Sequence, residues 1–96
     1  MQILSDAAIK AFLANYPHWQ RTGVALTGKY ECANFAECAA LVHHCITVMR
    51  ETDHHPLVSF GYNTVEIVTC THDAGDVVTD RDAEFITRLT ETLVQQ

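Results

Sequence analysis

Ninety-six residues make one domain, spanning 1–96, with a single modest core, and 48% hydrophobic content with charges of both signs describes a globular chain, not a disordered one. Twelve acids against six Lys and Arg give a formal charge of −6, which argues against direct grip on nucleic acid phosphates or on an anionic membrane. No apolar run approaches membrane-spanning length, and the opening "MQILSDAAIK" lacks a basic region followed by a hydrophobic one, so a cytoplasmic protein is expected.

Residues Ser5 to Asn15, "SDAAIKAFLAN", place Ala8, Ile9, Phe12 and Leu13 at helical spacing, and Pro17 marks the exit of this first helix. From His18 to Cys32 the pattern shifts to near alternation. Val24, Leu26 and Tyr30 are candidates for one face of two antiparallel strands, with Gly23 and Gly28 weakening or bulging the segment. Asn34 to Glu51 carries Phe35, Cys38, Val42, Cys45 or Ile46, and Met49 at intervals of three and four, which predicts a long amphipathic helix with Asn34 as its N-cap. Val58, Phe60 and Tyr62, then Val65, Ile67 and Thr69, repeat with period two and predict the third and fourth strands.

After "HDAGDVV", Thr79 and Asp82 have the spacing of a capping box, and Phe85, Ile86, Leu89 and Leu93 line a last helix. The order is α-β-β-α-β-β-α: an α+β domain in which helices cover one face of a four-stranded antiparallel sheet. Cys32, Cys38, Cys45 and Cys70 contain no CxxC pair and are read as buried small hydrophobes, with Cys38 and Cys45 on a common helix face.

The histidines carry the chemistry. "ETDHHPLVSFGY" sets His54 and His55 just past the long helix, where Pro56 biases His55 toward an extended backbone and neighbouring side chains point to opposite sides. His72 is expected to close the fourth strand, and the return from strand three to strand four can bring the three rings together. A metal site, a proton-moving site and a set of solvated side chains all compete for this pattern. Zinc needs three or four ligands in a tetrahedral shell, and HHP with a remote His is not a recognised ligand spacing, so no metal is expected there. Imidazole, with an unperturbed pKa of about 6.5, suits acid–base work. His43 and His44 lie about 100 degrees apart on the helix, do not share an ion, and are read as a solvated face.

Together, His54-His55-Pro56, Tyr62 with "YN", "THDAG" from Thr71 to Gly75, and Asp82 beyond that loop resemble the pterin-4a-carbinolamine dehydratase family, also known as the dimerisation cofactor family. The motif order holds over roughly residues 50 to 82, and Trp19, the Phe35 helix and the last helix extend the likeness along most of the chain. The resemblance implies the α-β-β-α-β-β-α fold, a homodimer or homotetramer, and dehydration of 4a-hydroxytetrahydropterin to quinonoid dihydropterin in pterin recycling, without metal or organic cofactor. It places the three active-site histidines on His54, His55 and His72. Asp53, Thr71 and Asp73 would line the pterin pocket, with Tyr62 and Asp82 as further candidates. Tyr62 is read alternatively as part of a packed sheet face, and Asp82 as a carboxylate that either holds a histidine tautomer or begins the last helix.

Three departures accompany the likeness: Arg50 stands where an acid is usual, Val58 where an aromatic is frequent, and "AGDVV" is one residue longer than the usual loop. If the missing acid tunes an imidazole, Arg50 implies lower activity. The resemblance also admits a second class of function on this fold, a binding protein that serves as a transcriptional coactivator or as an assembly factor for another enzyme, with a protein partner.

Overall fold

The computed structural model describes residues 1–94. Its elements run α1 (Asp6–Leu13), β1 (Trp19–Thr22), β2 (Ala25–Glu31), α2 (Phe35–Thr52), β3 (Leu57–Phe60), β4 (Thr64–Thr69), a 3-10 turn (His72–Ala74) and α3 (Asp80–Val94). The four strands form one sheet in the order β1-β2-β4-β3, every neighbour antiparallel. β2 and β4 are therefore central and β1 and β3 are the edges, so α2, which joins β2 to β3, carries the chain from a central strand to the far edge.

Period-two alternation builds the core face. Leu26 pairs with Thr69, Gly28 with Ile67 and Tyr30 with Val65, and these side chains face the helices. The intervening residues, Lys29 opposite Glu66 among them, form the other face, where the two charges lie 3.9 Å apart. Ile9, Leu41, Val48, Phe85, Ile86 and Leu89 complete the core from the three helices. At roughly 25 cal/mol per Å2 of apolar area removed from water, this shared burial is the main stabilising term.

Local chemistry sets the helix ends. Ser5 Oγ accepts from Ala8 N–H at 3.1 Å, so α1 starts one residue after the Ser5 expected to open it. Asn34 caps α2 as expected, accepting from Glu37 N–H at 3.0 Å, while Glu37 Oε2 reaches back to Ala33 N–H at 2.6 Å. The N-terminal segment clips onto the start of α3 through Leu4 N–H to Val78 O at 3.0 Å and Asp80 N–H to Gln2 O at 2.9 Å.

Several sequence expectations are corrected. Val24 lies outside β2, exposed beyond a tight turn at Gly23 with φ 61, so it does not share the Leu26 face. Gly28 makes no bulge: the β1–β2 register runs unbroken through it, and a Cβ there would meet Trp19 Cε2 at 2.5 Å, so its role is to seat the indole. On α2, Cys45 is buried and Ile46 exposed; Phe35 is exposed, and Leu41 and Val48 carry the buried stripe. His44 is buried, its Nε2 2.6 Å from Thr92 Oγ1 on α3, whereas His43 is exposed, so only one of the pair is a solvated side chain. Phe60 and Tyr62 are exposed, and Tyr62 falls beyond the end of β3, which removes the packed-face reading of this tyrosine. Cys38 and Cys45 are fully buried, but Cys32 and Cys70 are only half-buried.

Candidate active site

α2 ends at Asp53, whose backbone is left-handed with φ 51, and the chain reverses there toward β3. His54 and His55 follow, and they differ in burial: His54 is 8% exposed and His55 lies at the surface. β4 stops at Thr69, three residues earlier than the expected position of its end at His72. Thr71 then bridges to Val77, and His72 opens the 3-10 turn that Gly75, with φ 91, terminates.

His54, His55 and His72 line one cleft of about 160 Å3. Asp53, Thr71 and Asp73 stand beside them, and Cys70 and Arg81 complete the wall. Tyr62 is not among the lining residues. Arg50 and Glu51 are also outside the cleft, and Glu51 instead sits 3.7 Å from Arg88.

Behind the cleft, at 0% exposure, is Asp82. Asp82 was expected on the pocket wall; it is not among the residues that line the cleft, and its side chain is closed off from solvent. Both other readings of the residue hold at once. As the third residue of α3, its Oδ2 accepts from Thr79 N–H at 2.8 Å, which is one half of a capping box. Thr79 Oγ1 in turn accepts from Arg81 N–H at 3.2 Å.

As a partner to the histidine, Asp82 Oδ1 lies 2.8 Å from His54 Nε2. Thr69 donates to the same oxygen at 2.5 Å, and Thr71 donates to Oδ2 at 2.8 Å. Each carboxylate oxygen thus takes two bonds, and among the described residues no buried side-chain polar atom is left unsatisfied. Burial pushes the Asp82 carboxyl up, but the hydrogen bonds from His54, Thr69, Thr79 N–H and Thr71 together outweigh it and leave its pKa below the ordinary value.

The network settles the histidine tautomer. The Thr69 hydroxyl proton is committed to Asp82, so His54 Nε2 must supply its own proton to either oxygen. Nδ1 is then the ring nitrogen open to a ligand. Thr71 lines the cleft, but its hydroxyl is committed inward to Asp82 and to Thr79 at 2.7 Å, so it contributes shape and not a hydrogen bond. His72, by contrast, is exposed, with Nδ1 2.5 Å from Asp76 Oδ1. Burial raises the Cys70 thiol, as do the negative charges of Asp76 and Asp82. Two lining residues, Cys70 and Arg81, escape sequence reading; Arg81 carried a signal, because it sits between Thr79 and Asp82 at the mouth of a helix that begins beside the His72 turn.

Comparison with known proteins gives one consistent result. The model of a family described as pterin 4 alpha carbinolamine dehydratase matches residues 2–92. A protein of Thermomicrobium roseum provisionally named a pterin-4-alpha-carbinolamine dehydratase is 37% identical over 91 residues, covering 95% of this chain and 97% of that protein. One of the same provisional name from Streptomyces coelicolor is 36% identical over 86 residues, covering 90% of this chain and 85% of the other. Among solved structures, a transcriptional coactivator/pterin dehydratase from Brucella melitensis superposes with a TM-score of 0.85 at 21% identity, over 93% of this chain and 96% of its own. A pterin dehydratase-like protein identified as a RuBisCO assembly factor in the alpha-carboxysome superposes with a TM-score of 0.59 at 21% identity, over 74% of this chain and 81% of its own. At that identity the two structures establish the shared fold.

Proposed function

This chain belongs to the pterin-4a-carbinolamine dehydratase family, and we propose that it is a working dehydratase, converting 4a-hydroxytetrahydropterin to quinonoid dihydropterin by histidine acid–base catalysis. The observation that carries this reading is the convergence of His54, His55 and His72 on one cleft. A cleft of about 160 Å3 suits a single bicyclic ring system.

The reaction removes water across the bond from C4a to the adjacent ring nitrogen. Hydroxide leaves C4a slowly unless an acid protonates the departing oxygen, and the ring nitrogen must surrender its proton as the new double bond forms. His54 is suited to the base role: its Nε2–H is held by Asp82, so Nδ1 presents a lone pair, and the imidazolium formed on proton uptake rests against an ionised carboxylate. His72 is assigned the acid role: Asp76 engages Nδ1 and leaves the other ring nitrogen to exchange a proton with the departing oxygen. His55, exposed at the cleft beside His54, positions the heterocycle. Asp53 and Asp73 offer carboxylates to its ring N–H and amino groups, and Arg81 offers a cation to its carbonyl oxygen.

The active form is proposed to be a homodimer or homotetramer. The edge strand β3 leaves Leu57 and Phe60 exposed, with Tyr62 just beyond it, and a second copy would cover them. A purely binding role, as coactivator or assembly factor, is the alternative on this fold. It gives no reason for a fully buried carboxylate to hold one imidazole tautomer at a cleft.

Stopped-flow assay with freshly generated 4a-hydroxytetrahydropterin tests the reading on the native chain, His54→Ala and His72→Ala. The native chain should accelerate dehydration, and each variant should lose about 100-fold or more. Rates equal to the native rate in both variants would overturn the proposed proton exchange.

A further inference from the structure

We propose that Cys70, His72 and Asp76 form a binding site for a thiophilic divalent cation, with zinc as the type. One ligand atom from each of the three side chains lies within 4.8 Å of the others, and among the described residues no other set of three His, Cys, Asp or Glu side chains meets in this way. Thiolate, imidazole and carboxylate together select zinc or cobalt over calcium or magnesium, which favour all-oxygen shells.

The backbone makes the grouping a property of the loop. Thr71 pairs with Val77 as an isolated antiparallel bridge, its N–H reaching Val77 O at 2.8 Å. Inside that bridge Gly75 N–H donates to His72 O at 3.0 Å, and Asp76 N–H donates to Thr71 O at 3.1 Å. These bonds fold residues 70–76 so that Asp76, left-handed with φ 59, swings its carboxylate back to the His72 ring.

A tetrahedral zinc shell sets neighbouring ligand atoms about 3.5 Å apart. Cys70 is half-buried at the end of β4, whereas His72 and Asp76 are exposed and have room to close on a cation held by the sulfur. On binding, the ion takes the place of the proton between His72 Nδ1 and Asp76 Oδ1, that proton passing to Nε2 of the same ring or to solvent, and Cys70 releases its thiol proton to solvent; no bond other than S–H and N–H breaks and nothing is oxidised. The fourth position is left to water. Because His72 is then a ligand, the same ion inhibits the dehydration proposed above, a consequence that rests on that reading while the site itself does not.

Cobalt(II) titration of the full chain under reducing conditions reads the site directly through the near-ultraviolet thiolate-to-cobalt charge-transfer band, and zinc added afterwards reports affinity by displacing it. One equivalent of cobalt per chain should develop the band. Cys70→Ser should abolish it, and Asp76→Asn should weaken zinc binding by at least about tenfold. Absence of the band in the native chain, or its persistence in Cys70→Ser, would overturn the site. Turnover unchanged in the zinc-loaded chain would overturn the inhibitory consequence alone.

Discussion

His54 Nε2 lies 2.8 Å from Asp82 Oδ1, and both side chains are withdrawn from solvent. The two residues are 28 positions apart, one after the C-terminus of α2 and the other in the first turn of α3. Their meeting couples the capping of α3 to the orientation of a cleft imidazole. A carboxylate that saturates two threonine hydroxyls, one backbone N–H and one ring N–H has no slack, so the consequences of altering it are specific.

Asp82→Asn keeps the shape of the side chain but turns one acceptor oxygen into a donor amide facing groups that already donate. Two hydrogen bonds are lost and their buried donors left unpaired, which should destabilise the fold by about 3 kcal/mol. Urea unfolding of the variant against the native chain measures this, and a loss below about 0.5 kcal/mol would contradict the network.

Acid sensitivity follows from the same carboxylate. Its folded pKa is depressed below the ordinary 3.8, so it contributes stability that is complete above that value and is lost as pH falls through the folded one. The native chain should therefore lose stability steeply on acidification below about pH 4. Asp82→Asn, which cannot protonate there, should have a shallower acid limb in thermal melts from pH 5 to 2.

The two proposed catalytic histidines should separate in stability even though the proposed reaction uses both. His72 is exposed and its pairing with Asp76 is a surface contact, so His72→Ala should shift stability by no more than about 0.5 kcal/mol. His54→Ala removes the buried partner of an ionised carboxylate and opens a void beside Phe85, which should cost about 3 kcal/mol. Equal unfolding midpoints for the two variants would contradict this difference.

Gly28 gives a test of packing away from the cleft. A methyl group at this position would press on the Trp19 ring, with the nearest carbon at 2.5 Å, and the indole is itself held by Nε1–H to Tyr30 Oη at 2.8 Å. Gly28→Ala should destabilise by about 1–3 kcal/mol, more than the few tenths to 1 kcal/mol that stiffening the unfolded chain returns. Loss of tryptophan's native emission at a lower denaturant concentration is the expected readout.

Element order, the cap at Asn34, the Thr79–Asp82 pairing and the His-His-Pro junction were all legible in the chain, because each depends on residues within a few positions and on the fixed periods of helix and strand. The family motifs carried the three histidines. What the chain alone left open was which side of each element meets which neighbour. Spacing admitted both Cys45 and Ile46 to the α2 core, made His44 the equal of His43, and ran Phe60 and Tyr62 into a packed sheet face. The packing of α2 against α3 buried His44 on Thr92, and the edge position of β3 left the two aromatics exposed. In the same way only the fold drew Asp82 behind the cleft and closed Cys70, His72 and Asp76 into one group, since a hydrogen bond across 28 residues or a loop folded on its own bridge follows from how surfaces pack, which no local repeat encodes.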